Sequence, residues 1–301
     1  MTRIAILTGQ NDQYQGLLES QGVAVSQQVA GSPIWLAEPG RAAALLRQGH
    51  PPPTWLASTY AGVDALMAED LPRNYQLTNV RGIFGPLMAQ YVFAHLLSHL
   101  RQLPLYVQQQ ARRLWLPHPY PSLEGQCLTL LGTGDIARQI ARVGKSFGMT
   151  LHGVNRSGRE VAGFDRVYPA TELKTALAQS DVLVSILPST PESRRLLNAD
   201  TLAALPSHAT LINVGRGSVL DPSALVAALN EGRLAHAVLD VFDEEPLPAD
   251  SPLWQHPKIT LTPHVAATSF PEQVVALFVQ NLTRFKQGQS LLHRVDFERG
   301  Y

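Results

Sequence analysis

Three short segments, far apart in the chain, carry the residue types that proton and anion chemistry needs. They are Asn213-Val214-Gly215-Arg216-Gly217, Asp240-Val241-Phe242-Asp243-Glu244-Glu245-Pro246 and Thr262-Pro263-His264-Val265-Ala266. The planar fork of an arginine clamps a carboxylate with two hydrogen bonds and polarises a neighbouring ketone oxygen. An imidazole, which titrates near neutrality, is suited to protonate that oxygen as a hydride reaches the carbon. A nearby carboxylate favours the charged ring and fixes its orientation. Arg216, His264 and Glu245 are therefore the candidate catalytic residues, for chemistry on a 2-oxo acid. Glu244 competes with Glu245, but only Glu245 abuts Pro246, which constrains its backbone. His95, His99, His152, His208, His236 and His256 lack such company and read as structural residues.

These segments need a frame that brings them to one edge. Each follows a predicted strand, and short apolar runs alternate with helix-period segments along nearly the whole chain, the pattern of a parallel α/β protein. The expected strands are Ile4–Leu7, Val23–Ser26, Thr54–Ser58, Gln76–Val80, Cys127–Leu131, Thr150–Val154, Val182–Leu187, Thr210–Val214, Ala237–Val241 and Ile259–Thr262. Helices are expected near Gln13–Ser20 and Ala42–Gln48, and a long apolar one over Leu87–Leu103 bridges two domains. Pro222–Glu231 has Asp221 as its cap and Pro222 in its first turn. The final helix, about Pro271–Gln287, returns to pack on the first domain. The domain reading is a discontinuous substrate domain, 1–98 and 268–301, with a dinucleotide-binding domain, 99–267, inserted in it.

Between a strand and a helix lies Gly132-Thr133-Gly134-Asp135-Ile136-Ala137. The first glycine allows a tight turn, the second lets a pyrophosphate approach the backbone, and the helix N-terminus offers N–H groups and partial positive charge. Ala137 stands at the usual third glycine. The next strand ends in Asn155-Arg156-Ser157-Gly158-Arg159, without the acid that would accept bonds from ribose hydroxyls. Arg156 and Arg159, with Asn155 and Ser157, make a cradle for a 2′-phosphate. Each charge-assisted hydrogen bond is worth roughly 1.5–3 kcal/mol, so NADP(H) is the preferred cofactor and NAD(H) the possible one.

The chain has 301 residues, 45% hydrophobic and 16% charged, with zero formal net charge. That length calls for one large or two medium domains. No basic run points to nucleic acid or to a membrane surface, no apolar stretch reaches the roughly 20 residues of a span, and the N-terminus reads as a strand. A cytoplasmic protein is the expectation. Cys127, the single cysteine, falls inside a predicted buried strand as core filler, and no metal site is expected.

In these motifs and their order the chain resembles the D-isomer-specific 2-hydroxyacid dehydrogenase family over essentially its full length. The stretches Ser251–Pro257 and Val295–Tyr301 look more narrowly like the glyoxylate/hydroxypyruvate reductase A group. The resemblance implies an α/β fold, a Rossmann-type doubly wound parallel sheet inserted in a discontinuous flavodoxin-like substrate domain. It implies that Arg216 binds substrate, that Glu245 orients and that His264 is the acid/base of an NADPH-dependent reduction giving the D-2-hydroxy acid. It places substrate at Ala61 and Gly62. Trp115 and Tyr60 read either as walls of the substrate pocket or as aromatics that anchor their own loops. It also places cofactor along Leu187, Pro188, Thr190, Val214, Gly215, Asp240, His264 and Ala266, and implies a homodimer. Gln90 departs from the glutamate that many members carry on the interdomain helix. Formate dehydrogenases pair their histidine with glutamine, so Glu245 argues against that branch. Two alternatives remain open: a reductase of bulkier 2-oxo acids, and a non-catalytic NAD(P)-sensing protein of the same fold.

Overall fold

The computed structural model describes residues 3–26 and 28–300. They form two compact units, one of residues up to 83 and from 269, the other Phe84–Thr268.

In the first unit, β1 (Ile4–Leu7) leads into α1 (Asn11–Ser20), β2 (Ile34–Ala37), α2 (Pro39–Arg47), β3 (Trp55–Ser58) and β4 (Gln76–Thr78). The sheet is parallel in the order β1-β2-β3-β4. The strand expected at Val23–Ser26 shrinks to one parallel bridge between Ala5 and Ser26, where the Ser26 N–H donates to the Ile4 carbonyl at 2.8 Å. The other side of β1 pairs with Ile34-Trp35-Leu36-Ala37, fully buried and not anticipated. With the bridge counted, the spatial order is the flavodoxin-like one.

The second unit opens with α3 (Phe84–Leu100) and α4 (Leu103–Ala111). The single helix expected over Leu87–Leu103 is interrupted because Gln102 takes a left-handed conformation (φ 53°) and Pro104 starts the next helix. β5 (Cys127–Leu131) follows, then α5 (Asp135–Ser146), β6 (Thr150–Asn155), β7 (Arg166–Pro169), α6 (Leu173–Leu177) and β8 (Val182–Ser185). The series ends with α7 (Ala199–Leu202), β9 (Thr210–Asn213), α8 (Pro222–Asn230), β10 (His236–Leu239) and β11 (Ile259–Leu261). All seven strands are parallel, in the order β11-β10-β9-β8-β5-β6-β7. This is the doubly wound Rossmann arrangement, reversing direction between β5 and β8. β7 escaped the sequence reading because it is a short edge strand in which only Tyr168 is buried.

The boundary expected at 98/99 falls instead at 83/84. α3 is part of the second core, burying Val92, Phe93 and Leu96 beside Ile140, Ala141 and Leu151. Phe93 stacks on Phe147 with ring centroids 5.2 Å apart. α8 starts as its sequence dictates, with the Asp221 carboxylate accepting from the Ser223 and Ala224 N–H groups. The chain then returns to the first unit with α9 (Pro271–Lys286). There Trp55, fully buried, stacks on Phe278 and Phe285 at 5.0 and 5.5 Å, and its indole N–H donates to Thr78.

Candidate functional site

In a parallel sheet the carboxyl ends of all strands share one edge, and a crevice opens there where the strand order reverses. In the second unit that edge carries the glycine turn after β5 and the loops after β6, β8, β9, β10 and β11.

Gly132 ends β5 with φ 100°, and its N–H donates to the Val154 carbonyl at 2.9 Å. Gly134 is the N-cap of α5, with no side-chain cap on the first turn. A Cβ built on Gly134 meets nothing within 4 Å. An uncapped helix N-terminus beside a bare backbone is a cradle for a pyrophosphate, and the residues present fit a dinucleotide. Ala137, 1% exposed, packs into the core, so the missing third glycine is accommodated. Asp135 and Ile136 form the first turn, Asp135 facing Arg138 at 4.0 Å.

The loop after β6 is braced by Asn155. Its amide donates to the Thr133 hydroxyl at 3.2 Å and the Arg159 carbonyl at 2.8 Å. Its oxygen accepts from the Ser157 N–H at 3.1 Å. Asn155 thus ties the loop to the glycine turn, while Arg156, Ser157 and Arg159 are exposed. Across the edge, Ser193 knits the Leu187-Pro188-Ser189-Thr190 turn, donating to the Pro188 carbonyl and accepting from the Thr190 N–H. Glu192, beside it, is held below the usual carboxylate range by its own N–H, the Thr190 hydroxyl and the charge of Arg156.

The glycines around Arg216 serve close approach, where conformational freedom to aim the arginine would have been the simpler reason. A Cβ on Gly215 would lie 2.6 Å from the Leu187 carbonyl oxygen, and one on Gly217 1.9 Å from the Phe242 carbonyl carbon. The loops after β8, β9 and β10 are therefore stacked backbone on backbone, with Val214 and Gly215 buried. Asn213, fully buried, donates to the Arg216 carbonyl at 3.0 Å and accepts from the Gly215 N–H at 3.3 Å. The half-buried Arg216 donates from Nη1 to the Gly215 carbonyl at 2.8 Å.

Glu245 and His264 meet. His264 Nδ1 lies 2.8 Å from Glu245 Oε2, and Glu245 Oε1 accepts from the Phe242 N–H at 2.8 Å. Each carboxylate oxygen is committed, so the ring is oriented by a group that is itself anchored. An ionised carboxylate only accepts, so Nδ1 carries hydrogen and Nε2 is the ring nitrogen left for another partner. Both side chains are partly exposed, as proton transfer to a bound molecule requires. Behind them Asp240, 1% exposed, accepts from the N–H groups of Val265 and Ala266 at 2.8 and 2.9 Å and from the Thr262 hydroxyl at 2.6 Å. The bracing by Asn213, Ser193 and Thr262 has no signature in the linear sequence. The histidines read as structural find partners elsewhere: His152 with Cys127, His208 with Asp181, His236 with Thr260 and His256 with Asn230, while the rings of His95 and His99 lie against Tyr91 and His236.

Tyr60 and Ala61 lie in the first unit beyond β3, where Ser58 accepts from the Tyr60 N–H and Asn79 donates to the Ala61 carbonyl. Gly62 follows them. Trp115, in the second unit, is 96% exposed. Among the described residues no helix is long and apolar enough to cross a membrane.

Comparison with known proteins agrees with this geometry. Residues 93–266 match the model of the D-isomer specific 2-hydroxyacid dehydrogenase, NAD binding domain. A glyoxylate/hydroxypyruvate reductase A from Yersinia enterocolitica is 33% identical over 248 residues, covering 80% of this chain and 79% of that protein. The structure of a D-isomer specific 2-hydroxyacid dehydrogenase family protein from Aeromonas salmonicida superposes with a TM-score of 0.92 at 48% identity, covering 98% of this chain and 99% of the other. An NADPH-dependent glyoxylate/hydroxypyruvate reductase from Sinorhizobium meliloti, in complex with NADP and sulfate, gives a TM-score of 0.89 at 26% identity over the whole of both chains. With the glycine turn, the arginine segment and the histidine–glutamate pair assembled on one Rossmann sheet, the chain belongs to the D-isomer specific 2-hydroxyacid dehydrogenase family and is an NAD(P)-dependent oxidoreductase.

Proposed function

We propose that this enzyme reduces a small 2-oxo acid of the glyoxylate or hydroxypyruvate type to the D-2-hydroxy acid, preferring NADPH to NADH. The observation that carries the proposal is the 2.8 Å contact between His264 Nδ1 and Glu245 Oε2, on the strand edge that also holds Arg216. Arg216 binds the substrate carboxylate and draws charge from the adjacent ketone oxygen. His264 gives a proton from Nε2 to that oxygen and takes it back in the reverse direction. Glu245 keeps the ring turned and stabilises its charged form.

The bound nicotinamide supplies the hydride. Gly132, Gly134, Asp135 and Ile136 would hold the pyrophosphate, with Leu187, Pro188, Thr190, Val214, Gly215, Asp240 and Ala266 along the rest of the dinucleotide. Arg156, Ser157 and Arg159 would take the 2′-phosphate, on a loop that Asn155 keeps in shape. The Sinorhizobium relative, NADPH-dependent and bound to NADP, supports this preference.

A homodimer is part of the proposal. Leu103, Val107, Leu114, Trp115, Leu116 and Tyr120 are all about half exposed or more, apolar side chains that a subunit contact would cover. Light scattering after gel filtration tests it, and a monomer at micromolar concentration would count against it.

Steady-state rates with NADPH and NADH on glyoxylate, hydroxypyruvate, pyruvate and phenylpyruvate, for wild type and His264→Gln, test the reaction. The expected result is turnover of glyoxylate and hydroxypyruvate with NADPH, largely lost in the variant. A preference for phenylpyruvate would move the assignment to bulkier acids. NADPH binding without any turnover would favour a sensor.

A further inference from the structure

His264 has φ 53°, a left-handed conformation that a non-glycine residue holds only where its surroundings enforce it. The enforcement is a set of hydrogen bonds that converge on one buried residue. The His264 N–H donates to the carbonyls of Asp240 and Thr262 at 2.9 and 3.1 Å. The next two N–H groups, of Val265 and Ala266, donate to Oδ1 and Oδ2 of the same Asp240. A carboxylate 1% exposed is tolerable only when it is satisfied in this way.

The carboxylate is itself held. Thr262 Oγ1 donates to Asp240 Oδ1 at 2.6 Å and lies 2.5 Å from the hydroxyl of Tyr91 on α3. Threonine has one hydroxyl hydrogen, already given to Asp240, so Tyr91 must donate to Thr262. Burial pushes the Tyr91 phenol up to about 12, so it keeps its proton at any pH at which such an enzyme works. Its ring leans on that of His95 at a centroid distance of 4.3 Å. A directed chain therefore runs from Tyr91 through Thr262 and Asp240 to the backbone that presents His264.

We propose that Tyr91 and Thr262 are positioning residues for the reaction: through the carboxylate of Asp240 they hold the left-handed turn that sets where the His264 ring stands. The proposal rests on the reading of His264 as the acid. Its physical basis is that Glu245 fixes only the rotation of the ring, whereas the backbone at 264–266 fixes its location. Without the Thr262 hydroxyl, the Asp240 carboxylate is free to turn away from one of its two backbone donors. A displacement of about 1 Å in a reacting group costs up to about 10²-fold in rate.

The test compares wild type, Tyr91→Phe, Thr262→Val, Thr262→Ser and His264→Gln, with Tyr91→Phe and Thr262→Val also made on the His264→Gln background. Thr262→Val keeps the shape of the side chain and removes the hydroxyl. The expected result is a fall in kcat of about tenfold or more for Thr262→Val and a smaller one for Tyr91→Phe. Thr262→Ser recovers most of the rate. Neither substitution slows the enzyme further once His264 is Gln. The proposal is overturned if kcat is unchanged in both hydroxyl-removing variants, if Thr262→Ser is as slow as Thr262→Val, or if the loss is equally large on the His264→Gln background. Should His264→Gln alone keep the wild-type rate, the acid reading fails first and the positioning proposal with it. Tyr91→Phe, which leaves the buried Asp240–Thr262 bond in place, serves if Thr262→Val does not fold.

Discussion

Gly217 stands so close to Phe242 that a Cβ on the glycine would lie 1.9 Å from the Phe242 carbonyl carbon. The atom in the way is backbone, so no side-chain rotation relieves the contact. One of the two loops has to move, and these loops carry Arg216 and Glu245. Gly217→Ala is expected to lower the thermal midpoint by several degrees, the equivalent of about 1–3 kcal/mol of overpacking, and to depress kcat/KM for the oxo acid. Calorimetry and initial rates on the same preparation check both. A variant with wild-type midpoint and rate would show that the loops are not locked together.

Gly134 is the opposite case. A Cβ there meets nothing within 4 Å, and its extended backbone (φ −75°, ψ −164°) is open to alanine, at the modest cost of a poorer N-cap. Gly134→Ala is expected to leave the unfolding midpoint nearly unchanged while raising the dissociation constant for NADPH and for NADH alike, because the added methyl stands where the pyrophosphate must approach. Fluorescence titration of both cofactors makes the comparison. Unaltered affinity for both would remove the glycine turn from the cofactor site.

These two glycines also mark what was legible in the sequence and what was not. Gly132-x-Gly134 could be read because its purpose is local: a strand ends, a helix begins, and the turn between them has to be bare. Arg216, Glu245 and His264 could be read because their side-chain chemistry is complementary, although Glu245 and His264 are 19 residues apart. The reason for Gly215 and Gly217 could not, since it lies in Leu187 and Phe242 of neighbouring loops. Strand β2 was missed because Ile34–Ala37 and Val23–Ser26 offer similar short apolar runs, and only pairing against β1 decides which forms the longer ladder. Tyr91 and Thr262 are 171 residues apart, and neither residue type signals the other.

Glu245→Gln separates orientation from charge. Glutamine can still accept from His264 Nδ1 through its amide oxygen, but it does not favour the charged ring. A fall in kcat of about 10²-fold, with little change in KM for NADPH, is the expected outcome in single-turnover and steady-state rates. Full activity would mean that holding the ring is all that Glu245 does.

Asn155 makes three hydrogen bonds, two within the arginine loop and one that joins it to Thr133 of the glycine turn. Asn155→Ala should therefore loosen Arg156 and Arg159 without touching a charge. The expected effect is a rise of several-fold in KM for NADPH with KM for NADH little changed, so that the ratio of the two narrows. Removing both arginines should narrow it further. Equal rises for both cofactors would show that the loop serves the adenosine half without discriminating at the 2′ position.

His236 provides a pH dependence with a defined sign. Burial, followed by the charges of His99 and His95, lowers its pKa from 6.5 to about 4. Its ring stacks on that of His99 at 4.0 Å, and its Nε2 lies 3.1 Å from the Thr260 hydroxyl. In the unfolded chain it titrates near its ordinary value, so between about pH 4 and 6.5 the unfolded state binds more protons. The native state is therefore fully favoured above pH 6.5 and loses stability as the pH falls toward 4. A displacement of this size is worth on the order of 3 kcal/mol. His95 and His99 are lowered by burial too, so they steepen the same acid limb. Urea unfolding at steps from pH 7 to pH 4 should show wild type losing stability faster than His236→Gln, which keeps a polar group near Thr260 and cannot titrate. Parallel curves for the two proteins would mean that His236 is reached by water in the native state and carries its proton there.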